Sequence, residues 1–80
     1  MQAYIATFFT HYDATVFHKL LSSLNISSKM MPVPRKLSSS CGTCVSYQAD
    51  AGHLEQLDLE AVERLVRVDN EQYIDVIDNR

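Results

Sequence analysis

Tyr4-Ile5-Ala6-Thr7-Phe8-Phe9 is the stretch on which the architecture turns. It is short, aromatic and β-branched, and it is apolar on both alternations. Tyr4, Ala6 and Phe8 fall on one face of an extended chain, Ile5 and Phe9 on the other. A strand with one solvated face alternates apolar with polar residues, whereas one that is apolar on both sides belongs inside a sheet. The remainder of the chain must then supply neighbours for both edges of this strand and cover for both of its faces.

Immediately downstream, Asp13 or the residues just before it can cap a helix. Ala14, Phe17, Leu20, Leu21 and Leu24 recur at spacings of three and four, marking its buried stripe, and Asn25 provides a stop. A strand follows over about Lys29 to Val33. Pro32 and Pro34 cannot donate to a ladder, so it is short or lies at an edge. Pro34 to Gly42 has no period and forms the longest irregular connection, which in a small domain marks a functional or mobile loop. Thr43 to Gln48 then alternates, with Val45 and Tyr47 opposite Cys44, Ser46 and Gln48.

Leu54, Leu57, Ala61, Val62 and Leu65 have helical spacing and predict a second helix beginning between Ala51 and Leu54, with Glu55, Asp58, Glu60, Glu63 and Arg64 outside. Gln72 to Ile77 reads as the last strand. The order β-α-β-β-α-β predicts one α+β domain over residues 1–80 of the ferredoxin-like kind, a four-stranded antiparallel sheet with two helices on one face. Its other face would be partly open, and a second copy could cover it to make a homodimer.

Bulk properties narrow the function. A hydrophobic fraction of 46% is that of a folded chain, and 80 residues leave room for a small core only. The net charge is −3 and the 7 Lys and Arg form no run, which argues against a surface that tracks nucleic-acid phosphates. No apolar run approaches the roughly 20 residues of a membrane span. The N-terminus lacks the basic start and small-residue cleavage site of a signal peptide, so the expected location is cytoplasmic. In that reducing compartment the 2 cysteines are thiols or metal ligands before they are a staple.

Those cysteines stand in Cys41-Gly42-Thr43-Cys44. Extended residues three apart lie roughly 10 Å apart on opposite faces, and a disulfide needs Cα atoms within about 7 Å. The pair can therefore meet only if the chain bends at Gly42, where glycine can take positive φ. Arg35 and Lys36 are near enough in sequence to favour a thiolate. Ser38, Ser39 and Ser40, with the amides leading to Gly42, could form an anion-holding turn around a thiolate, persulfide or selenide. Cys44, at a strand start, equally fits a small buried hydrophobe.

Two other readings stand beside this one. A Cys-x-x-Cys pair is half of a tetrahedral zinc site, and with no second pair in the chain a zinc-binding dimer through Cys41 and Cys44 is the metal alternative. A ferredoxin-like binding or regulatory module with structural cysteines is the other. His18 flanks the core stripe or faces solvent, and His53 begins the second helix. His11 ends the first strand, where it could approach the thiol loop. Tyr4, Tyr12, Tyr47 and Tyr73 read as packing aromatics, and no Ser-His-Asp order, P-loop or Rossmann glycine pattern occurs.

Pro32-Val33-Pro34-Arg35 followed by Leu37-Ser38-Ser39-Ser40-Cys41-Gly42 is far more restrictive than a bare Cys-x-x-Cys. With the N-terminal strand and the helix ending in Leu20-Leu21, this segment resembles the small bacterial selenium/sulfur carrier family, over about Tyr4 to Leu65. The resemblance implies a carrier rather than a stand-alone enzyme, with no cofactor, serving sulfur or selenium donor and acceptor proteins. Cys41 matches the family's Ser-Cys-Gly cysteine and would hold the chalcogen. On the residue reading above, Arg35, Ser39, Ser40 and Gly42 would stabilise it. Cys44 is not carried over by the resemblance, and as a functional thiol it would resolve a persulfide on Cys41 or release its terminal sulfur.

Overall fold

The computed structural model describes residues 2–80. Its elements are β1 (Gln2–Phe8), α1 (His11–Ser23), β2 (Ser28–Pro32), β3 (Thr43–Ala49), a 3-10 helix (Ala51–Gln56), β4 (Val62–Asp69) and β5 (Gln72–Asp78). They form one five-stranded sheet in the order β2-β3-β1-β4-β5, every neighbouring pair antiparallel. β1 is the central strand, as its composition requires, and Tyr4 through Phe8 are all buried. Phe9 lies beyond the strand end and is 43% exposed.

The first half follows the sequence closely. Thr10 caps α1, its Oγ1 accepting from the Asp13 amide at 3.1 Å. At the other end Asn25 takes φ 61, while the amides of Asn25 and Ile26 bond back to the carbonyls of Ser22 and Leu21. That is the Schellman closure, and asparagine tolerates its left-handed position. β3 inserts between β1 and β2, so α1 joins two strands that run parallel to one another with a third between them. β2 lies at the sheet edge, where its proline does no harm.

The expected second helix is not formed. Ala51–Gln56 makes only a short 3-10 helix, and Val62–Asp69 is a strand. The reason lies in β1, whose second edge needs a partner. Val62, Val66 and Val68 are β-branched and suit that position. Pairing with β1 satisfies a full row of backbone groups that a helix would have left open. Leu54, Leu57 and Leu59 still pack on the α1 side of the core, from the 3-10 helix and the coil after it. The ferredoxin-like expectation is thereby corrected from four strands and two helices to five strands and one helix. The final strand becomes an edge, joined to β4 by a two-residue hairpin.

Core packing divides between the two faces of the sheet. On the helix side, Ala14, Phe17 and Leu21 of α1 meet Tyr4, Ala6, Phe8, Val45, Tyr47 and Leu65. On the other side, Ile5, Cys44 and Val66 are covered by Leu37, only 4% exposed, with Met31, Val33, Val68 and Tyr73 around them. The face expected to be open is thus covered over part of its area by the chain's own β2–β3 loop, which weakens the reason for placing a second copy there.

The β4–β5 hairpin gives a direct test. Its turn residues Asn70 and Glu71 take φ 49 and 67, the left-handed values of the tight primed turn. A glutamate there is strained by its Cβ. Glu71→Gly should raise the unfolding free energy by about 0.5–1 kcal/mol in urea titration, with an unchanged denaturant slope.

Candidate functional site

The segment that carries Cys41 is closed at its base and tied down at several points. The Val33 amide bonds to the Gly42 carbonyl at 3.1 Å, extending the β2–β3 pairing beyond the strand ends, and Gly42 takes φ 74 to let the chain turn back into β3. A tight turn closes with the Leu37 amide on the Pro34 carbonyl at 3.0 Å, which sends the Leu37 side chain onto the sheet. Ser39 then donates through Oγ to the Phe8 carbonyl at the end of β1, at 2.9 Å.

Ser40 is held by Glu63. Its Oγ donates to Oε2 at 2.7 Å, and its amide approaches Oε1 at 3.4 Å. Glu63 is only 4% exposed, and among the described residues it is satisfied by these hydrogen bonds rather than by an ion pair. It occupies a β-bulge: Phe8 pairs with Val62 and Thr7 with Arg64, so Glu63 has no partner on β1. The extra residue re-aims its side chain toward the loop, a common use of bulges beside functional sites. Read as a helix, this stretch placed Glu63 on the solvent face, and no signal in the residues alone distinguishes the bulge.

The two thiols, both free, have opposite surroundings. Cys41 is half-buried against the helix-side core, its Sγ donating to the Thr43 carbonyl at 3.4 Å and lying 3.8 Å from Ser39 Oγ. Cys44 is fully buried in the other cluster, beside Leu37, with Sγ 3.8 Å from the Pro32 carbonyl. Burial, and secondarily the neighbouring Cys41, pushes the Cys44 thiol up to about 11, so it is protonated at neutral pH. His11, the first residue of α1, does reach this region, with Nδ1 at 3.4 Å from Thr43 Oγ1. Arg35, Lys36 and Ser38 are exposed, and among the described residues none makes a hydrogen bond or ion pair with either thiol.

A second polar cluster lies at the other end of β3. Tyr47 donates from its hydroxyl to His53 Nε2 at 2.9 Å, while His53 Nδ1 faces the Asp50 carbonyl. Both ring nitrogens are therefore used, and because a carbonyl can only accept, Nδ1 carries a proton. Tyr4 stacks on Tyr47 with centroids 5.4 Å apart, and burial raises the Tyr47 hydroxyl above the usual range. The histidine and tyrosines form a satisfied core network, beside a groove of about 500 Å³ lined in part by Asn25, Gln48, Asp50 and Gln56. Among the described residues no group of three or more His, Cys, Asp and Glu is placed to hold a metal ion. Among the described residues no helix is long and apolar enough to cross a membrane.

Residues 3–73 match the family described as "Putative Se/S carrier protein-like". No curated protein and no solved structure matches the chain.

Two outcomes follow from this geometry. Glu63→Ala leaves Ser40 without its acceptor. It should cost about 2 kcal/mol of stability and speed hydrogen exchange at the Ser40 amide relative to amides of β1. The folded chain also holds the Cys44 proton more tightly than the unfolded chain, whose thiol titrates near 9.0. Stability is accordingly full below about pH 9 and should fall as pH rises toward about 11. Tyr47 adds a loss of the same sign from its unfolded value of 10.0 upward. Urea titration across that range should show a shallower decline for Cys44→Ala.

Proposed function

The chain belongs to the Se/S carrier protein-like family, and from that premise we propose that it carries sulfur or selenium as a persulfide or selenide on Cys41. The observation that supports this most is the contrast between its two thiols. Cys41 is partly exposed on a loop bonded to β1 and β4, whereas Cys44 is sealed in the core. A carrier needs one reachable thiol held at a defined place. It needs little pocket, because the cargo is covalently attached and its partner enzymes supply specificity.

In the loading step the Cys41 thiolate attacks the terminal sulfur of a donor protein's persulfide. A new S–S bond forms on Cys41 Sγ, the donor's own S–S bond breaks, and the donor thiolate leaves with the electron pair. The thiol proton passes to solvent as Sγ gives up its hydrogen bond to the Thr43 carbonyl. Ser39, 3.8 Å from Sγ, can turn its hydroxyl toward the anion that results. Delivery to a protein acceptor is the same exchange in reverse sense: the acceptor's thiolate attacks the terminal atom, the bond to Cys41 Sγ breaks, and the Cys41 thiolate leaves with the electron pair. Ser40 serves through Glu63, fixing the backbone that presents Cys41, and Gly42 supplies the turn. Arg35, exposed on the same loop, contributes positive charge to the surface an anionic cargo meets.

Zinc binding by the pair is disfavoured on the same geometry. Cys41 and Cys44 pack in clusters on opposite sides of the sheet, while a tetrahedral site needs both sulfurs about 2.3 Å from one ion.

Incubation with a cysteine desulfurase and free cysteine, followed by intact-mass and peptide analysis, tests the proposal. The expected result is an adduct of one sulfur atom on Cys41, absent from Cys41→Ser and retained in Cys44→Ser. No adduct under conditions that load an established carrier would exclude it.

A further inference from the structure

We propose that Cys44 is the nucleophile that discharges the cargo of Cys41, and that Leu37 withholds it until the β2–β3 loop lifts from the sheet. This rests on the carrier reading of Cys41 and adds how that site is regulated. Cys44 has no solvent exposure, and its sulfur lies in the cluster of Ile5, Val66 and Leu37. Ile5 and Val66 belong to the two strands at the centre of the sheet, which cannot move without unfolding it. Leu37 alone among the fully buried members of that cluster comes from the loop. It is the removable part of the cover.

The loop is built to be released as a unit. Between Pro34 and Cys41 its ties are the Leu37 side chain, the tight turn at Pro34, the two serine hydroxyls, the Ser40 amide on Glu63 and the packing of Cys41 on the helix-side core. It ends at Gly42, whose positive φ makes it the natural pivot. The Val33 amide holds the Gly42 carbonyl just beyond the Pro32–Thr43 rung, so that bond, and then Thr43, would have to peel away first. Bending there is also the condition for bringing the two Cα atoms within the ~7 Å a disulfide needs. While the loop is down, the thiols stay on different faces, and a persulfide on Cys41 is safe from its own neighbour.

The discharge step balances as a thiol–disulfide exchange. Once in water, Cys44 loses its proton to solvent and its thiolate attacks Cys41 Sγ in Cys41–S–SH. The Sγ–Sγ bond forms, the bond to the terminal sulfur breaks, and hydrosulfide leaves with the electron pair. With selenium the leaving group is hydroselenide. The product is a Cys41–Cys44 disulfide, two electrons more oxidised than the dithiol. An external dithiol reductant, itself becoming a disulfide, returns the chain to its starting state.

The gate can be read without any cargo. In the Cys41→Ser background, iodoacetamide should label Cys44 slowly, and Leu37→Ala should speed labelling by about tenfold or more, since one packed leucine shifts a local opening equilibrium by at least that factor. Ser40→Ala, which frees the loop's other anchor, should act in the same direction and serves if Leu37→Ala has lost the native circular-dichroism spectrum. With both thiols present, diamide should close the intramolecular disulfide faster in the Leu37 variant than in the parent chain. On persulfide-loaded protein freed of donor, Leu37→Ala should accelerate sulfide release, and adding Cys44→Ser should abolish the acceleration. Equal labelling and oxidation rates in parent and variants would overturn the gate. Release that is indifferent to Cys44 would overturn its role as nucleophile. Failure of Cys41 to load in the parent chain would instead remove the carrier reading, and the discharge role with it, leaving the labelling result to stand by itself.

Discussion

Burial of both faces of β1 is the constraint on which the structure depends. Tyr4 to Phe8 are all buried, so the sheet needs cover on two sides in a chain of 80 residues. One helix and a 3-10 turn supply it on one side. On the other the described residues form no second α-helix, and the β2–β3 loop folds back to place Leu37 over Ile5, Cys44 and Val66. The loop that presents Cys41 is therefore part of the core's closure. Its leucine is as much a structural residue as Phe17 on the opposite face.

That arrangement explains how two cysteines three residues apart acquire different chemistry. In β3 the side chains alternate, and Cys44, paired with Thr7, lands on the face under Leu37. Cys41 lies before the strand, past the turn at Gly42, and packs toward the helix side. Desolvation makes the Cys44 thiol harder to ionise, while Cys41 is half-exposed with its sulfur near the Ser39 hydroxyl. The difference arises from the parity of the strand and one positive φ. The spacing of the pair would be the same in a disulfide or a metal site.

Loss of the second helix has a consequence at the site as well. Because Val62–Asp69 pairs with β1, the bulge between Thr7 and Phe8 turns Glu63 toward Ser40, a position that no helix over the same residues would have created. A buried carboxylate is costly unless its oxygens are satisfied. Here the satisfaction comes from the loop it anchors, so loop and bulge hold each other in place. At the far end of β3, Tyr47 and His53 settle their polar atoms between themselves and the Asp50 carbonyl. The motif that looked like the start of a helix is a core hydrogen-bond network.

Sequence by itself determined the central strand, a first helix that begins near Asp13 and stops at Asn25, and a proline-limited strand that is short or at an edge. It singled out Pro32 to Gly42 as the segment that carries the family resemblance. These are decided by local chemistry: apolar residues on both alternations, short polar residues up to Asp13 that can cap, an asparagine as a stop, and prolines that cannot donate. Tertiary structure alone decided the fate of residues 51–69, because Leu54 to Leu65 fits a helical period while its valines fit a strand. Only the unfilled edge of β1 separates the two. It also decided which thiol is buried, which hydroxyl meets Glu63 and what covers the second face. Each of those depends on groups far apart in the chain meeting across a sheet, and no local pattern records such a meeting.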